Sequence, residues 1–191
     1  MSMTFRIIRI VDILISVLLL IIFSPIFCLI SVIILIMDGK PVIYKQSRVG
    51  YLGKFFIIFK YRTMKNDILR DENLRLTPFG TFLRKTSLDE LPQLINVLKK
   101  DMSIVGPRPL PGHIEKKINR TIQIKRRKVL PGITGLSQVN FTGKKRKLIE
   151  KMQLDLKWLE EYSLNNYFKI IIKTPFVLIV RLFKNKSSII K

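Results

Sequence analysis

Acidic residues are scarce here: 13 Asp and Glu stand against 35 Lys and Arg in 191 residues, a formal net charge of +22. So deep a shortage is foreign to a cytosolic metabolic enzyme and implies a polyanionic partner, either nucleic acid or an anionic membrane face. Cysteine and histidine are almost absent, with Cys28 and His113 alone. No disulfide framework can form within the chain, and neither a zinc cluster nor a Cys-His dyad can be assembled. Internal repeats and low-complexity linkers are also missing. The length therefore accommodates one domain plus an attachment, enough to bury a core.

Hydrophobic residues, by contrast, make up 48% of the chain. Combined with the charge, this favours a membrane over nucleic acid, because binders of nucleic acid this basic seldom carry long apolar runs. Ile13 to Met37 contains no charged residue. At about 1.5 Å per residue such a helix exceeds the roughly 30 Å hydrocarbon core, so a membrane span is the default expectation. It is too long for a cleaved signal peptide, and no small-x-small site follows. Ser24-Pro25 interrupts its middle. Pro25 removes one helical N–H and frees the Ile21 carbonyl, while the Ser24 hydroxyl can bond back to the preceding turn, a recipe for a sharp kink. Arg6 and Arg9 precede the run, and Lys40, Lys45 and Arg48 follow it, so both ends prefer the cytoplasm. A kinked span and a helix-break-helix that dips into one leaflet are equally compatible with these residues.

Gly39 and Pro41 close that helix. Val42 to Tyr44 and Lys54 to Met64 read as short strands joined through Gly50 and Gly53. Within the second, Lys60 and Arg62 alternate with Phe59 and Tyr61, the ordinary pattern of a solvated strand face. Asn66 to Arg75 is a polar, helical connector, and Thr77-Pro78-Phe79-Gly80 a turn.

The densest chemistry lies between Gly80 and Pro111. Adjacent carboxylates, Asp89 and Glu90, follow the cations Arg84 and Lys85. Thr86 and Ser87 can cap a helix, Ser87 and Glu90 fit a capping box, and Leu91, Leu94, Ile95 and Leu98 recur at the spacing of one buried helical face. Downstream, Gly106-Pro107-Arg108-Pro109 holds one guanidinium on a stiff, extended turn. Acids in a first helical turn commonly do no more than offset the helix dipole. Acids between two sets of cations also suit a phosphate-bearing substrate.

Lys125 to Lys128 and Lys144 to Lys147 bracket a glycine-punctuated loop from Leu130 to Asn140. Such clusters grip anionic headgroups at about 1 kcal/mol per cation. Nucleic acid is disfavoured, since Phe141 is the only stacking aromatic there and no helix-turn-helix, RNP or zinc-finger pattern occurs. Leu148 to Tyr162 reads as a helix with Leu154, Trp158 and Leu159 inward and Lys151–Asp155 as a surface ion pair. Tyr167 to Lys184 reads as an interfacial helix, broken at Pro175, with Lys169, Lys173, Arg181 and Lys184 on one third of its circumference.

The string LRKTSLDELPQLINVLKKDMSIVGPRP resembles the signature of the bacterial sugar transferases, the monotopic polyprenyl-phosphate phosphoglycosyl transferases. Lys60-Tyr61-Arg62-Thr63-Met64 and Pro131 to Asn140 resemble two further blocks of that family, the latter with Ser137 where Ala is more usual, and Asp155 matches an acidic position in its LDL block. The resemblance covers nearly the whole chain and is weakest after Ser163. It implies an α/β, mostly α fold: a membrane-inserted re-entrant helix over 1–37, broken at Ser24-Pro25, then a cytoplasmic-face catalytic domain over 38–191 with an interfacial C-terminal helix, on the bacterial inner membrane. It also implies transfer of a phospho-sugar from a UDP-sugar to undecaprenyl phosphate, with release of UMP. Asp89 would be nucleophile and Mg²⁺ ligand, and Glu90 would position the metal or manage charge. Arg108, held by Pro107 and Pro109, would grip the donor phosphates with Arg84 second, and Lys60 and Arg62 would lie beside the site. The chain departs from the family at Tyr167, where Asp is common, and at His113 or Glu115, one of which replaces an acid after the PRP block. The rival from another class is a non-catalytic basic protein that binds anionic lipids at a membrane surface. No stretch identifies the sugar.

Overall fold

A computed structural model describes residues 3–65, 75–140 and 147–183. All but the last residue of the expected connector from Asn66 to Arg75, together with Phe141, Lys144, Lys145, Arg146 and Lys184, lies outside the described residues.

Two helices, α1 (Met3–Ile22) and α2 (Ser24–Asp38), open the chain and meet at 61°. The Ser24 hydroxyl donates to the Ile21 carbonyl at 2.8 Å, occupying the acceptor that Pro25 leaves without its N–H. Among the described residues no single helix is long and apolar enough to cross a membrane, although the bent pair passes by length and composition together. Helix α1 starts ten residues before Ile13, because the polar residues expected to precede it are used inside the fold. Arg9 donates to the carbonyls of Val97 at 2.7 Å and Leu98 at 3.1 Å, and Asp12 is 1% exposed. Beyond Asp12 the pair turns Leu14, Leu18, Ile21, Leu29 and Ile36 outward.

Strand β1 (Ile43–Val49) pairs antiparallel with β2 (Phe55–Tyr61), from Ile43 opposite Tyr61 to Val49 opposite Phe55. The first strand outruns the expected Val42 to Tyr44. Lys45, Gln46, Ser47 and Arg48 carry no apolar alternation, but a hairpin partner satisfies their backbone groups regardless. The second stops at Tyr61, short of Met64. Two further strands were not legible: β3 (Ser103–Val105) and β4 (Gly132–Thr134) form a short parallel pair.

Helix α3 (Pro78–Thr86) begins where a turn was expected, because Thr77 Oγ1 accepts the Gly80 N–H at 2.9 Å and Pro78 takes the first helical position. Gly80 lets α3 touch the end of β2, since a Cβ there would lie 2.1 Å from the Thr63 carbonyl oxygen. The remaining helices are α4 (Gln93–Leu98), α5 (Gly112–Glu115), α6 (Arg120–Arg126), α7 (Leu136–Val139), α8 (Leu148–Glu160) and α9 (Leu164–Phe183). The last is continuous through Pro175, which corrects the expected break.

The architecture is thus mostly helical with two small sheets. One core cluster gathers Ile8, Ile58, Val97, Met102, Val105, Trp158, Tyr167 and Ile170. A second joins Ile30 and Ile34 of α2 to Tyr61 and Leu83. Helix α4 buries Gln93, Leu94, Asn96 and Val97, leaving Ile95 and Leu98 partly exposed. It is rotated from the expected apolar face because Asn96 bridges the edge of β2, accepting from the Phe59 N–H at 3.0 Å and donating to the Ile57 carbonyl at 2.7 Å.

Candidate active site

Ser87 ends α3 in the left-handed region, at φ 60°, and its side chain caps nothing. The expected capping box is therefore absent: a capping side chain needs an extended backbone at the N-cap, and Ser87 is left-handed. Asp89 and Glu90 sit instead on a 3₁₀ turn, Leu88–Glu90, between α3 and α4. That turn packs against β2 and brings Glu90 to Lys60.

Glu90 Oε1 accepts from Lys60 Nζ at 2.5 Å and from Arg108 Nη2 at 2.6 Å. Burial acts to raise the Glu90 pKa, but Arg108 and Lys60 outweigh it and bring it down to about 2. Asp89 is 8% exposed. Burial first, and the neighbouring Glu90 second, raise its pKa to about 6 against the pull of Lys60, Arg108 and Arg84. Two adjacent carboxylates are thereby split. One is ionised and locked in charge-assisted bonds, while the other is poised near neutrality, and no group among the described residues donates a hydrogen bond to it.

Lys60 is consequently part of this cluster rather than of a solvated face. Arg62 is not: it is 5% exposed, and its Nη2 donates to the Asp38 and Gly39 carbonyls at 2.5 Å. It satisfies the C-terminus of α2 and ties that helix to β2. Arg84 Nε donates to Thr63 Oγ1 at 2.9 Å and faces the Asp89 charge. Pro107 and Pro109 hold Arg108 from both sides through their carbonyls, the first accepting from the Gly132 N–H at 3.0 Å and the second from Arg48 at 3.3 Å. Ser24 and Pro25 remain at the bend between α1 and α2.

Behind Arg108 lies a buried ionic node that sequence reasoning placed elsewhere. Arg126, 6% exposed, donates from Nε to Asp155 Oδ2 at 3.1 Å, from Nη1 to Glu115 Oε2 at 3.2 Å and from Nη2 to the Arg108 carbonyl at 2.7 Å. Arg127 Nε reaches Glu115 Oε1 at 3.2 Å. Arg126 thus belongs to the interior rather than to a headgroup cluster, and Asp155, 2% exposed, pairs with it there rather than standing at the surface. Burial raises the Asp155 pKa against the attraction of Arg126. Glu115, not the exposed His113, supplies the acid after the PRP block. Its signal lay in the sequence: Glu115 is the sole acid between His113 and Lys147, and a lone acid among cations is a natural counter-ion.

Arg48 and Arg181 were not anticipated near the site. Each feels the charges of both Arg108 and Glu90.

No group of three or more His, Cys, Asp or Glu side chains converges among the described residues. Within this cluster, Asp89 accepts no hydrogen bond from the described residues and leaves its carboxylate open to a metal ion. That suffices for Mg²⁺, which keeps several waters and takes most remaining ligands from substrate phosphates.

The chain matches the model of the bacterial sugar transferase family over residues 3–181. It is 38% identical over 190 residues to the UDP-glucose:undecaprenyl-phosphate glucose-1-phosphate transferase of Escherichia coli (strain K12), covering 93% of this chain and 40% of that one. With the transferase of the same name from Klebsiella pneumoniae it shares 40% over 200 residues, covering 98% and 42%. The undecaprenyl-phosphate galactose phosphotransferase of Salmonella typhimurium is 35% identical over 199 residues, covering 91% and 40%. The chain therefore spans about 40% of the length of these relatives.

Proposed function

Because this chain belongs to the bacterial sugar transferase family, we propose that it transfers a phospho-sugar from a UDP-sugar to undecaprenyl phosphate, releasing UMP and starting assembly of a surface glycan. The relatives' names carry glucose and galactose, so a UDP-hexose is the donor to try first.

The observation that carries this reading is the split carboxylate pair. A nucleophilic carboxylate must be free of hydrogen bonds, whereas its partner must keep cations in place. Asp89 has the first character and Glu90, bonded to Lys60 and Arg108, the second. An Asp89 oxygen attacks the phosphorus that bears the sugar. The bond from that phosphorus to the bridging oxygen breaks, UMP leaves with the electron pair, and an aspartyl phospho-sugar remains. A phosphate oxygen of the lipid then attacks the same phosphorus. The acyl–phosphorus bond breaks, the Asp89 carboxylate returns, and the product is the polyprenyl-diphospho-sugar.

Arg108 receives the donor diphosphate, and Arg84, whose charge also acts on Asp89, assists it. Lys60 and Arg108 hold Glu90 ionised, so its charge keeps both cations oriented as substrate binds. Arg62 acts at a distance by fixing the end of α2 to the strand that carries Lys60. Asp89 would hold Mg²⁺, which would supply neutralisation of phosphoryl charge.

Residues 1–37 form a re-entrant anchor, entering and leaving on the cytoplasmic face of the inner membrane, with 38–191 as the catalytic domain. The outward apolar residues of α1, α2 and α9, including Leu18, Leu29, Ile172 and Phe176, rest in the bilayer beside anionic lipids, at the depth where a lipid phosphate lies. Nucleic acid has no part in this reading. The test is UMP release by the full chain in detergent or nanodiscs with undecaprenyl phosphate, Mg²⁺ and a panel of UDP-sugars. UMP with one donor, dependent on metal, supports the reaction, and none with any donor from folded protein would refute it.

A further inference from the structure

Helix α9 has an inward stripe at helical spacing. Tyr167 and Ile170 are buried, and Thr174 Oγ1 lies 2.9 Å from Thr134 Oγ1. Arg181 continues the stripe at the far end. The sequence grouped Arg181 with Lys169 and Lys173 as a cation for the headgroup layer, but those two are exposed while Arg181 is half-buried. Its Nη2 donates to the Gln138 carbonyl at 2.9 Å. Gln138 belongs to the segment pressed against Gly106, where a Cβ on Gly135 would lie 2.2 Å from the Gly106 oxygen. That contact leads directly into Pro107 and Arg108. Helix α9 also packs on α3, which bears Arg84, and on α7, β3 and β4. Arg181 therefore sits beside the segment that packs on the Arg108 loop, within reach of the charges of Arg108 and Glu90.

The cations here outnumber the acids. Lys60, Arg84 and Arg108 act on Asp89, and Arg48 and Arg181 each face Arg108 with like charge. Glu90 is a single counter-charge already shared by two of them. Such a surplus is relieved when phosphates arrive, and the proposed reaction brings two kinds: a soluble diphosphate and a lipid monophosphate. Arg48 is engaged with Gln46 and the Pro109 carbonyl and holds the Arg108 loop. Arg181 lies on a different footing, because its helix carries Ile172, Phe176, Ile179 and Val180 outward, and α3 adds exposed Phe82. An apolar tail leaving the site along α9 passes straight into hydrocarbon.

We propose that Arg181 binds the phosphate of the polyprenyl acceptor, with the tail running along the outer apolar face of α9. This rests on the transfer reaction above. The shared chemistry is that of a phosphate ester, which the donor, the acceptor or a bulk anionic phospholipid could supply, and the experiment separates the three.

Full-length protein, Arg181→Ala and Arg181→Lys are placed in phosphatidylcholine nanodiscs with and without phosphatidylglycerol. The expected result for Arg181→Ala is a rise of about 10-fold or more in the KM for undecaprenyl phosphate, the scale of one lost charge-assisted bond. The stoichiometric burst of UMP from donor alone should persist, Arg181→Lys should recover part of the loss, and phosphatidylglycerol should not change the ratio. An unmoved acceptor KM, or a burst that falls in parallel with it, overturns the assignment. So does a loss that appears only with phosphatidylglycerol present. A second measurement needs no turnover: binding of farnesyl phosphate against farnesol to the Asp89→Asn protein. Arg181 accounts for preference for the phosphate if Arg181→Ala abolishes it, and does not if the preference survives. Absence of UMP from the wild type with every donor would strike the reaction itself, while the binding arm would still decide Arg181.

Discussion

Tyr167 in α9 donates its hydroxyl to Asp12 in α1 at 2.6 Å, so the last of the described helices is bonded to the first. The same Asp12 Oδ1 accepts from Ser103 Oγ at 3.0 Å and from the Ile104 N–H at 2.8 Å. Ile104 lies in the strand that leads into the Arg108 loop. One buried carboxylate thereby holds α1, α9 and the strand before the Arg108 loop in register. Tyr167→Phe should lower stability by about 1–3 kcal/mol, and Asp12→Ala by more, because it orphans three buried donors. Melts in detergent measure both, and the double variant should fall short of the sum, since the two residues share a bond.

Arg126 offers a sharper contrast. Arg126→Met removes the ion-pair partner of buried Asp155 and one of the two on Glu115 and should cost about 3–5 kcal/mol, whereas Lys125→Ala and Lys128→Ala, on exposed positions, should stay within about 0.5 kcal/mol. Denaturant or thermal unfolding of the three variants side by side is the check. Equal, small losses would remove the node from the account.

These two nodes also mark where reading the sequence stopped. The break at Ser24-Pro25 and the stiff Arg108 loop were legible because proline and serine act through local geometry, whereas Asp89 and Glu90, expected in a capping box, lie on a 3₁₀ turn. Arg62 and Lys60 look alike in sequence, alternating on one strand, yet one caps α2 and the other holds Glu90; only the partner elements distinguish them. Strands β3 and β4, three residues each, have no room to display a period. Asp155 read as a surface ion partner because burial of a charge depends on a partner distant in the chain. Arg181 fell on the cationic sector of a helical wheel, and the packing of α9 turned it inward.

Asp89 makes stability depend on pH. Its folded pKa, about 6, lies above the ordinary 3.8, so the folded state holds a proton that the unfolded chain has given up between those values. Stability is therefore full below about pH 4 and falls as pH rises towards 6, by on the order of 3 kcal/mol. Asp89→Asn should flatten this window and be the more stable protein at pH 7, in melts recorded in EDTA. A wild-type curve parallel to that of the variant from pH 4 to 7 would contradict the poised carboxyl.

Arg108 shares Glu90 with Lys60, so its replacement has two effects. Arg108→Lys should raise the KM for the UDP-sugar about 10-fold or more, because a point charge cannot reproduce a planar fork on a diphosphate and on Glu90 together. Initial rates at varied donor and saturating acceptor test this. A change confined to the acceptor would instead move Arg108 to the lipid side of the site.

The most direct test of the account is to trap the covalent intermediate. Protein incubated with a radiolabelled UDP-sugar and Mg²⁺, without lipid acceptor, is quenched in denaturant and digested. The account predicts label on the peptide containing Asp89, equimolar with UMP released, discharged by added undecaprenyl phosphate and absent from Asp89→Asn. UMP formed only when both substrates are present, with no label on the protein at any time, would contradict it.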